Sequence, residues 1–402
     1  MARRLSHSLK RKPQTAKTKR NFHIPDCPRF TGYKPCYPGV NCAVDGCYEK
    51  KKNNIRILIV NLDAMGNVLT TTSILPAMKR KYPGSIITWI TMENTHRLLD
   101  NNQYIDRVFV WGPESRLILG SMKFDIVMNV DKSQRSGAFT MGVRAKKKLG
   151  YGVNERGQII PLNKEAEYNY LLGLDDHLKF RVNTRTVSDI LHQTMKLDYR
   201  HDEYVLNLTE EEEHFCNKYA QEQGLDKAGL IVGFNTGCST LYPNKKMTVD
   251  QHVALIDRLY EVLPQARLVL LGGSEDTERN IEIARRVGEK VLSTPTTEGV
   301  RRGICYENLC DVVITGDSFG MQAAIGLKKY VIAWFGLSCW TEIDLYSRGE
   351  KLYPQTLECA PCWKLQCPYN LECIQMIDLE RIVELVKKYF EKLQTSNSQL
   401  IL

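Results

Sequence analysis

The stretch from Cys310 to Gly336, CDVVITGDSFGMQAAIGLKKYVIAWFG, constrains this chain most, because it reads as strand, tight turn, helix and strand in succession. Residues 311–315 are a short β-branched run, the composition of a strand buried on both faces. Gly316, Asp317 and Ser318 break it, residues 321–327 are small and apolar enough for a helix lying flat on a sheet, and 330–335 form the next buried strand. An Asp and a Ser at the carboxyl end of a strand sit where open α/β sheets hold ligands. Hydroxyl and N–H groups at a helix start hold anions, and a carboxylate there holds sugar hydroxyls. Asp and Ser are equally ordinary helix caps, so the rest of the chain must decide.

The same grammar recurs. Residues 55–62, IRILIVNL, are a buried strand, 63–67 its turn, and 68–81 a helix stopped by Pro83-Gly84. Strands follow at 85–91, 107–111 and 124–130, with a short helix at 95–101. The pattern weakens from 151 to 208, apart from a helix expected at 188–197. Thr209 to Glu212 then has capping-box spacing before a helix to about 223. A second α/β series has strands at 230–234, 267–271 and 290–292, helices at 248–263 and 275–287, and then the opening stretch. Residues 379–393 form an amphipathic closing helix. Strands alternating with helices imply an α/β fold of two Rossmann-like, doubly wound domains. We place a basic tail and Cys-rich extension at 1–52, an N-terminal Rossmann-like domain at 53–207, a C-terminal Rossmann-like domain at 208–358, and a Cys cluster with the closing helix at 359–402.

A chain of 402 residues fits two such domains, and its 43% hydrophobic and 25% charged content is that of a globular enzyme. No apolar run approaches the roughly 20 residues that span a bilayer. The first residues, MARRLSHSLKRKPQTAKTKRN, are basic with no apolar run behind them, unlike a secretory signal. A cytoplasmic location is expected. The net charge of +9 draws on this tail and on Lys50 to Lys52, which suits peripheral contact with an anionic membrane surface. Nucleic acid is not expected as a partner.

Twin domains place a cleft between their carboxyl-end loops. Neither first turn carries the full G-x-G-x-x-G fingerprint, which disfavours dinucleotide oxidoreduction. In the second half three loops converge if its sheet is parallel. Thr236, Ser239, Lys245 and Lys246 offer hydroxyl, N–H and ammonium groups to phosphate. Gly272, Gly273, Ser274 and Glu275 offer close backbone approach and a carboxylate for a ribose diol; Gly316, Asp317 and Ser318 are the third loop. Each alone is turn chemistry. Three in register point to a nucleotide-diphosphate sugar.

Over residues 55–390 the chain resembles family 9 glycosyltransferases of the bacterial heptosyltransferase type. The resemblance rests on RILIVNLDAMGNVLTTTSILPAMKRKYP, the Lys-bearing loop after NTG, LLGGSEDTERN and VITGDSFGMQAAIGLKKYVIAWFG. It implies the GT-B fold and inverting transfer of a sugar, heptose from an ADP-linked donor, to a lipid-linked lipopolysaccharide-core acceptor, with no cofactor needed for catalysis. It implies that Lys245 or Lys246 neutralises the leaving diphosphate with Thr236 and Ser239 nearby. Glu275 or Glu278 would hold the ribose, and Asp317, Ser318 and Gly320 the donor phosphate and sugar. A protein heptosyltransferase is a nearer variant. A catalytically impaired, metal-binding interaction protein on the same scaffold is the rival.

Two departures sharpen that rivalry. The family has G-D-V at the first turn, its Asp being the general base; here Gly66 is followed by Asn67. An amide cannot take the proton as a carboxylate does. Asp63 in the same loop is the nearest replacement, as base or as a brace of the turn, and Asp131 at another strand end is the second. The stretch D-S-F-G-M-Q also puts Gln322 where the family often has His.

Thirteen cysteines include two clusters. Cys359, Cys362, Cys367 and Cys373 fall within fifteen residues, a set suited to a structural zinc or iron ion. Cys27, Cys36, Cys42 and Cys47 are more loosely spaced, and metal, disulfides and free thiols all remain open there.

Overall fold

The apolar run after Ile55 forms a central strand because nearly every side chain in it has a packing partner on one face or the other. In the computed structural model, which describes residues 32–35, 41–42 and 55–399, it is β1 (Arg56–Val60), and its last four residues are buried. β2 (Ile86–Thr91), β3 (Arg107–Val110), β4 (Lys123–Asn129), β5 (Arg144–Val153) and β6 (Ile159–Pro161) complete a sheet of order β3-β2-β1-β4-β5-β6. All pairs are parallel except β5 with β6.

The second half repeats the plan. β7 (Ile231–Asn235), β8 (Arg267–Leu271), β9 (Val291–Ser293), β10 (Val312–Gly316), β11 (Tyr330–Trp334) and β12 (Gly349–Leu352) form a wholly parallel sheet of order β12-β11-β10-β7-β8-β9. In each sheet the first three strands build outward in one direction and the fourth returns to the other side of the first. That reversal opens a crevice between β1 and β4, and another between β7 and β10, where such sheets bind ligands.

The chain divides into two compact units, residues 1–52 and 53–402. Within the first, the described residues are an exposed bend at 32–35 together with Asn41 and Cys42. Cys27, Cys36 and Cys47 lie outside the described residues. Both sheets belong to the second unit, and one continuous apolar core draws on Ile57 and Leu69 from the first half and on Val313 and Ala323 from the second.

Some elements depart from the sequence reading. The helix expected at 68–81 is two helices, Met65–Thr71 and Ile74–Lys81. The break comes at Thr72 and Ser73, whose N–H groups bond three residues back to Leu69 and Thr70. The Thr72 hydroxyl also accepts from the Val205 N–H at 2.8 Å, pinning the chain that links the two halves. The segment expected as a helix at 95–101 is a single 3-10 turn, His96–Leu99. The charged strand β5 was not foreseen: its first half, Arg144 to Lys148, is largely exposed because β6 covers only Tyr151 to Val153. The closing helix runs longer, Leu379–Gln399, and Ile382, Val383, Leu385, Val386 and Phe390 bury its apolar face in the second sheet's core. Among the described residues no helix is long and apolar enough to cross a membrane.

Candidate active site

The two crevices are brought together by one helix contact. The helix Met65–Thr71 lies against the helix Phe319–Gly326, and an added Cβ on Gly66 would stand 3.3 Å from Gln322 Cγ. One turn on, Thr70 Oγ1 donates to Gln322 Oε1 at 3.2 Å. The turn bearing Asp63 and the turn bearing Asp317 therefore open their helices against each other. The buried Gln322 amide is a bolt between the halves, a position where a charged side chain would need a partner of its own.

On the β1 side, Asp63 and Asn67 are both exposed. Ala64 caps the helix without any side-chain bond, and the Asp63 carboxylate takes no hydrogen bond from a described residue. The bracing is done instead by Asp131, just beyond β4. It accepts from the Leu62 N–H, from Asn61 Nδ2 at 2.7 Å, and from the Asp63 N–H. Burial pushes the Asp131 carboxyl up to about 7 and the Asp63 charge adds to this, while the three hydrogen bonds oppose it. The crevice thus holds the exposed Asp63 carboxylate, unbonded to any described residue, and the half-buried Asp131 carboxyl beside it.

On the β7 side the polar groups are knitted together. Asn235, the last residue of β7, donates from Nδ2 to Thr315 Oγ1 at 2.9 Å and to Ser318 Oγ at 2.7 Å. Ser318 caps the helix Phe319–Gly326, its hydroxyl accepting from the Met321 N–H. Gly320 has no side chain because a Cβ there would lie 2.3 Å from Asn235 Nδ2. Thr236 is buried, and its hydroxyl is taken by Asn280 Oδ1 at 2.5 Å. Ser239 is exposed and accepts from the Leu241 N–H, bracing its own turn.

The lysines are both paired. Lys245 Nζ lies 2.7 Å from Asp317 Oδ2 and 4.3 Å from the Trp363 ring centroid; Lys246 Nζ lies 3.5 Å from Asp276 Oδ1. Asp276 also accepts from the Gly273 N–H at 3.0 Å. Glu275 and Glu278 are exposed and without a described hydrogen-bond partner.

Sequence reasoning missed Asn235, Asp276 and Asn280, which hold Ser318, Lys246 and Thr236 in place. It also missed a group that spans the cleft. Lys132 donates to the Asn169 carbonyl at 2.8 Å, and partial desolvation of its ammonium, aided by the Lys179 charge, lowers its pKa. Lys179 Nζ stands 3.7 Å from Glu342 Oε1, and burial raises the Glu342 carboxyl, with Lys179 opposing and Asp317 assisting. Nothing in the local sequence marks Lys179 or Glu342, since both come from short irregular turns.

The thiols of Cys359, Cys362, Cys367 and Cys373 line one small pocket with Asn244, Gly336 and Leu371, and none is in a disulfide. Burial pushes the Cys373 thiol up to about 11, and the other three thiols add to this. Among the described residues no three His, Cys, Asp or Glu side chains stand in a ready-made metal-binding arrangement.

Comparison with known proteins agrees with this architecture. Solved structures that superpose on the chain include a family 9 glycosyl transferase from Veillonella parvula DSM 2008 (TM-score 0.66, 18% identity, 84% of this chain and 98% of that one). E. coli ADP-heptose LPS heptosyltransferase II gives a TM-score of 0.64 at 16% identity, over 85% of this chain and all of the other. E. coli heptosyltransferase WaaC with ADP-2-deoxy-2-fluoro heptose gives 0.55 at 14% identity, over 83% and 100%. These likenesses establish the GT-B-like fold. A search of curated proteins gave no match. The family model described as glycosyltransferase family 9 (heptosyltransferase) matches residues 116–372. The chain therefore belongs to glycosyltransferase family 9, the heptosyltransferases, and is a glycosyl-transferring enzyme.

Proposed function

We propose that the enzyme transfers a heptose from ADP-heptose, with inversion, to a hydroxyl of a lipopolysaccharide core or a related lipid-linked glycan. The observation that carries this reading is the contact of Gly66 and Thr70 with Gln322, which sets the helix that follows Asp63 against the helix that follows the 316–318 turn. The structural relatives described as ADP-heptose enzymes support the donor.

In this reading the acceptor oxygen bonds to the anomeric carbon as the bond from that carbon to the diphosphate oxygen breaks. Asp63 takes the hydroxyl proton as general base. ADP leaves with its developing charge met by Lys245 and Lys246. Asp317, Ser318 and the Gly320 backbone hold the donor sugar and phosphate, Glu275 or Glu278 the ribose diol, and Gln322 fixes the facing helices. Asn67 stays a bystander of the base. No metal enters these steps. The basic residues early in the sequence, between Arg3 and Arg20 and at Lys50 to Lys52, favour work at the inner face of the cell membrane.

We further propose that the four thiols at 359–373, which share one pocket without standing in a ready-made metal geometry, draw together around a structural zinc or iron ion: four thiolates leave no open position for chemistry. Such an ion would hold the loop that carries Trp363 against Lys245.

Calorimetry with ADP, UDP and GDP tests the reading. ADP is expected to bind and the other two more weakly. Binding to none of them, together with tight salt-dependent binding to nucleic acid, would replace the enzyme reading with the interaction-protein one.

A further inference from the structure

A second cavity lies apart from both crevices, about 410 Å³ in volume, with Arg181, Trp340, Tyr353, Gln355, Thr356 and Glu358 among its lining residues. Its aromatic wall is preformed. The Trp340 and Tyr353 rings stack with centroids 4.4 Å apart and planes 7° from parallel. Lys351 donates to the carbonyls of Trp340 and Ile343 at 2.9 Å each, fixing the turn that carries Trp340.

The polar wall has unused capacity. The side chains of Gln355, Thr356 and Glu358 form no hydrogen bond with a described residue, whereas Arg181 spends its guanidinium on the carbonyls of Glu358 and Ala360. The cavity therefore offers an aromatic face, an amide, a hydroxyl and a carboxylate. An anion would meet Glu358 with the nearest cation already engaged. A nucleotide would lay its base on the same outer ring face, but its phosphates would meet Glu358 with Arg181 already engaged. An acyl chain would bury three polar side chains without partners, which is costly. A pyranose meets all these terms: its C–H face lies on the ring, whose π-face is negative, and its hydroxyls both donate and accept.

The cavity is also tied to the cleft. Lys179 and Arg181 share one turn, and Trp340 and Glu342 share another. Lys179 and Glu342 face each other beside the cleft, while Arg181 and Trp340 line the cavity. We infer that this cavity is a saccharide subsite, occupied by a neutral pyranose ring of the acceptor glycan beyond the residue that is glycosylated. The saccharide assignment rests on the cavity itself; its place on the acceptor rests on the proposed function.

Saturation-transfer NMR on the full chain as purified, with the methyl glycosides of glucose, galactose and mannose as probes, tests it. At least one should receive transfer on its ring C–H protons, and saturating ADP should leave that signal in place. Tyr353→Ala should weaken the binding at least about tenfold, the loss of roughly 1.4 kcal/mol. Thr356→Trp, at an exposed position, should fill the cavity and abolish the signal even if Tyr353→Ala does not fold. ADP affinity by calorimetry should be unchanged in both variants. No transfer to any glycoside in the native chain, or equal transfer in Thr356→Trp, overturns the inference. Failure of ADP to bind the native chain would instead remove the proposed function and leave the saccharide result to stand alone.

Discussion

Lys245 Nζ and Asp317 Oδ2 are 2.7 Å apart, and the two side chains are only 12% and 16% exposed. A donor diphosphate must draw Lys245 from a partner it already has. Lys245→Ala should weaken ADP binding about 10- to 150-fold, the worth of one charge-assisted hydrogen bond at roughly 1.5–3 kcal/mol. Asp317→Asn frees the ammonium, so ADP should bind at least as tightly while sugar transfer falls. Calorimetry on both variants beside a transfer assay separates these effects. Equal losses of ADP affinity would mean that the pair acts only to hold the loop.

Asp63 is exposed, caps nothing and accepts no hydrogen bond from a described residue, while Asp131 does the bracing. Asp63→Asn should therefore lower transfer about 10²- to 10⁴-fold, the usual worth of a general base, with ADP affinity intact. In that background Asn67→Asp should restore part of the rate by returning a carboxylate to the same turn. Unchanged turnover in Asp63→Asn would remove Asp63 from the chemistry.

The central strands were legible because burial on both faces demands uninterrupted apolar runs: 55–62, 124–130, 230–234, 311–315 and 330–335 each contain or overlap a strand near the middle of a sheet. Of the flanking strands, the apolar ones at 107–111 and 290–292 were legible too, and β5, β6 and β12 were not. β5 and β12 carry Lys and Glu, and only their pairing with a neighbour makes them extended. At the candidate site the residue types could be read but their pairings could not. Glu275 and Asp276 are adjacent carboxylates, and only the phase of the 3-10 turn Ser274–Asp276 sends Asp276 inward to Gly273 and Lys246 and leaves Glu275 outside. Lys179, Glu342 and Trp363 lie in segments without periodicity and meet only through packing of the two halves.

The cysteine pocket makes a prediction independent of activity. Elemental analysis of the purified protein should find zinc or iron near one equivalent, lost in Cys359→Ser/Cys362→Ser. Chelation should lower the melting temperature, since binding free energy in such sites is folding free energy. A metal-free native protein with unchanged melting in chelator would leave four plain thiols.

Gly237 tests packing beneath the loop of Thr236 to Lys246 without removing a polar group. A Cβ there would lie 1.9 Å from Asp276 Oδ2 and 2.1 Å from its Cγ. Gly237→Ala must displace Asp276, and with it Lys246 and the Gly273 N–H. We expect a stability loss of about 1–3 kcal/mol, as for other overpacked sites, and weaker ADP binding. Gly273→Ala is the stability control, because its Cβ would meet nothing within 4 Å. Equal melting temperatures for the two variants would contradict the packing argument.

Asp131 should give the fold a measurable pH dependence. Burial raises its carboxyl from the ordinary 3.8 to about 7 in the folded chain, so the folded state holds the proton more tightly than the unfolded one. The resulting stabilisation is fully present below 3.8, fades as pH rises toward 7, and is gone above that. Asp131→Asn carries no charge at any of these pH values. Relative to that variant, the native chain should lose up to roughly 4 kcal/mol between pH 4 and 8, at about 1.36 kcal/mol per pH unit. Asp63→Asn should move the fading to lower pH, because the Asp63 charge helps hold the Asp131 proton. Urea midpoints taken from pH 4.5 to 8.5 would show both effects. Parallel curves for the native chain and Asp131→Asn would mean that Asp131 is ionised throughout, with its three hydrogen bonds outweighing its burial.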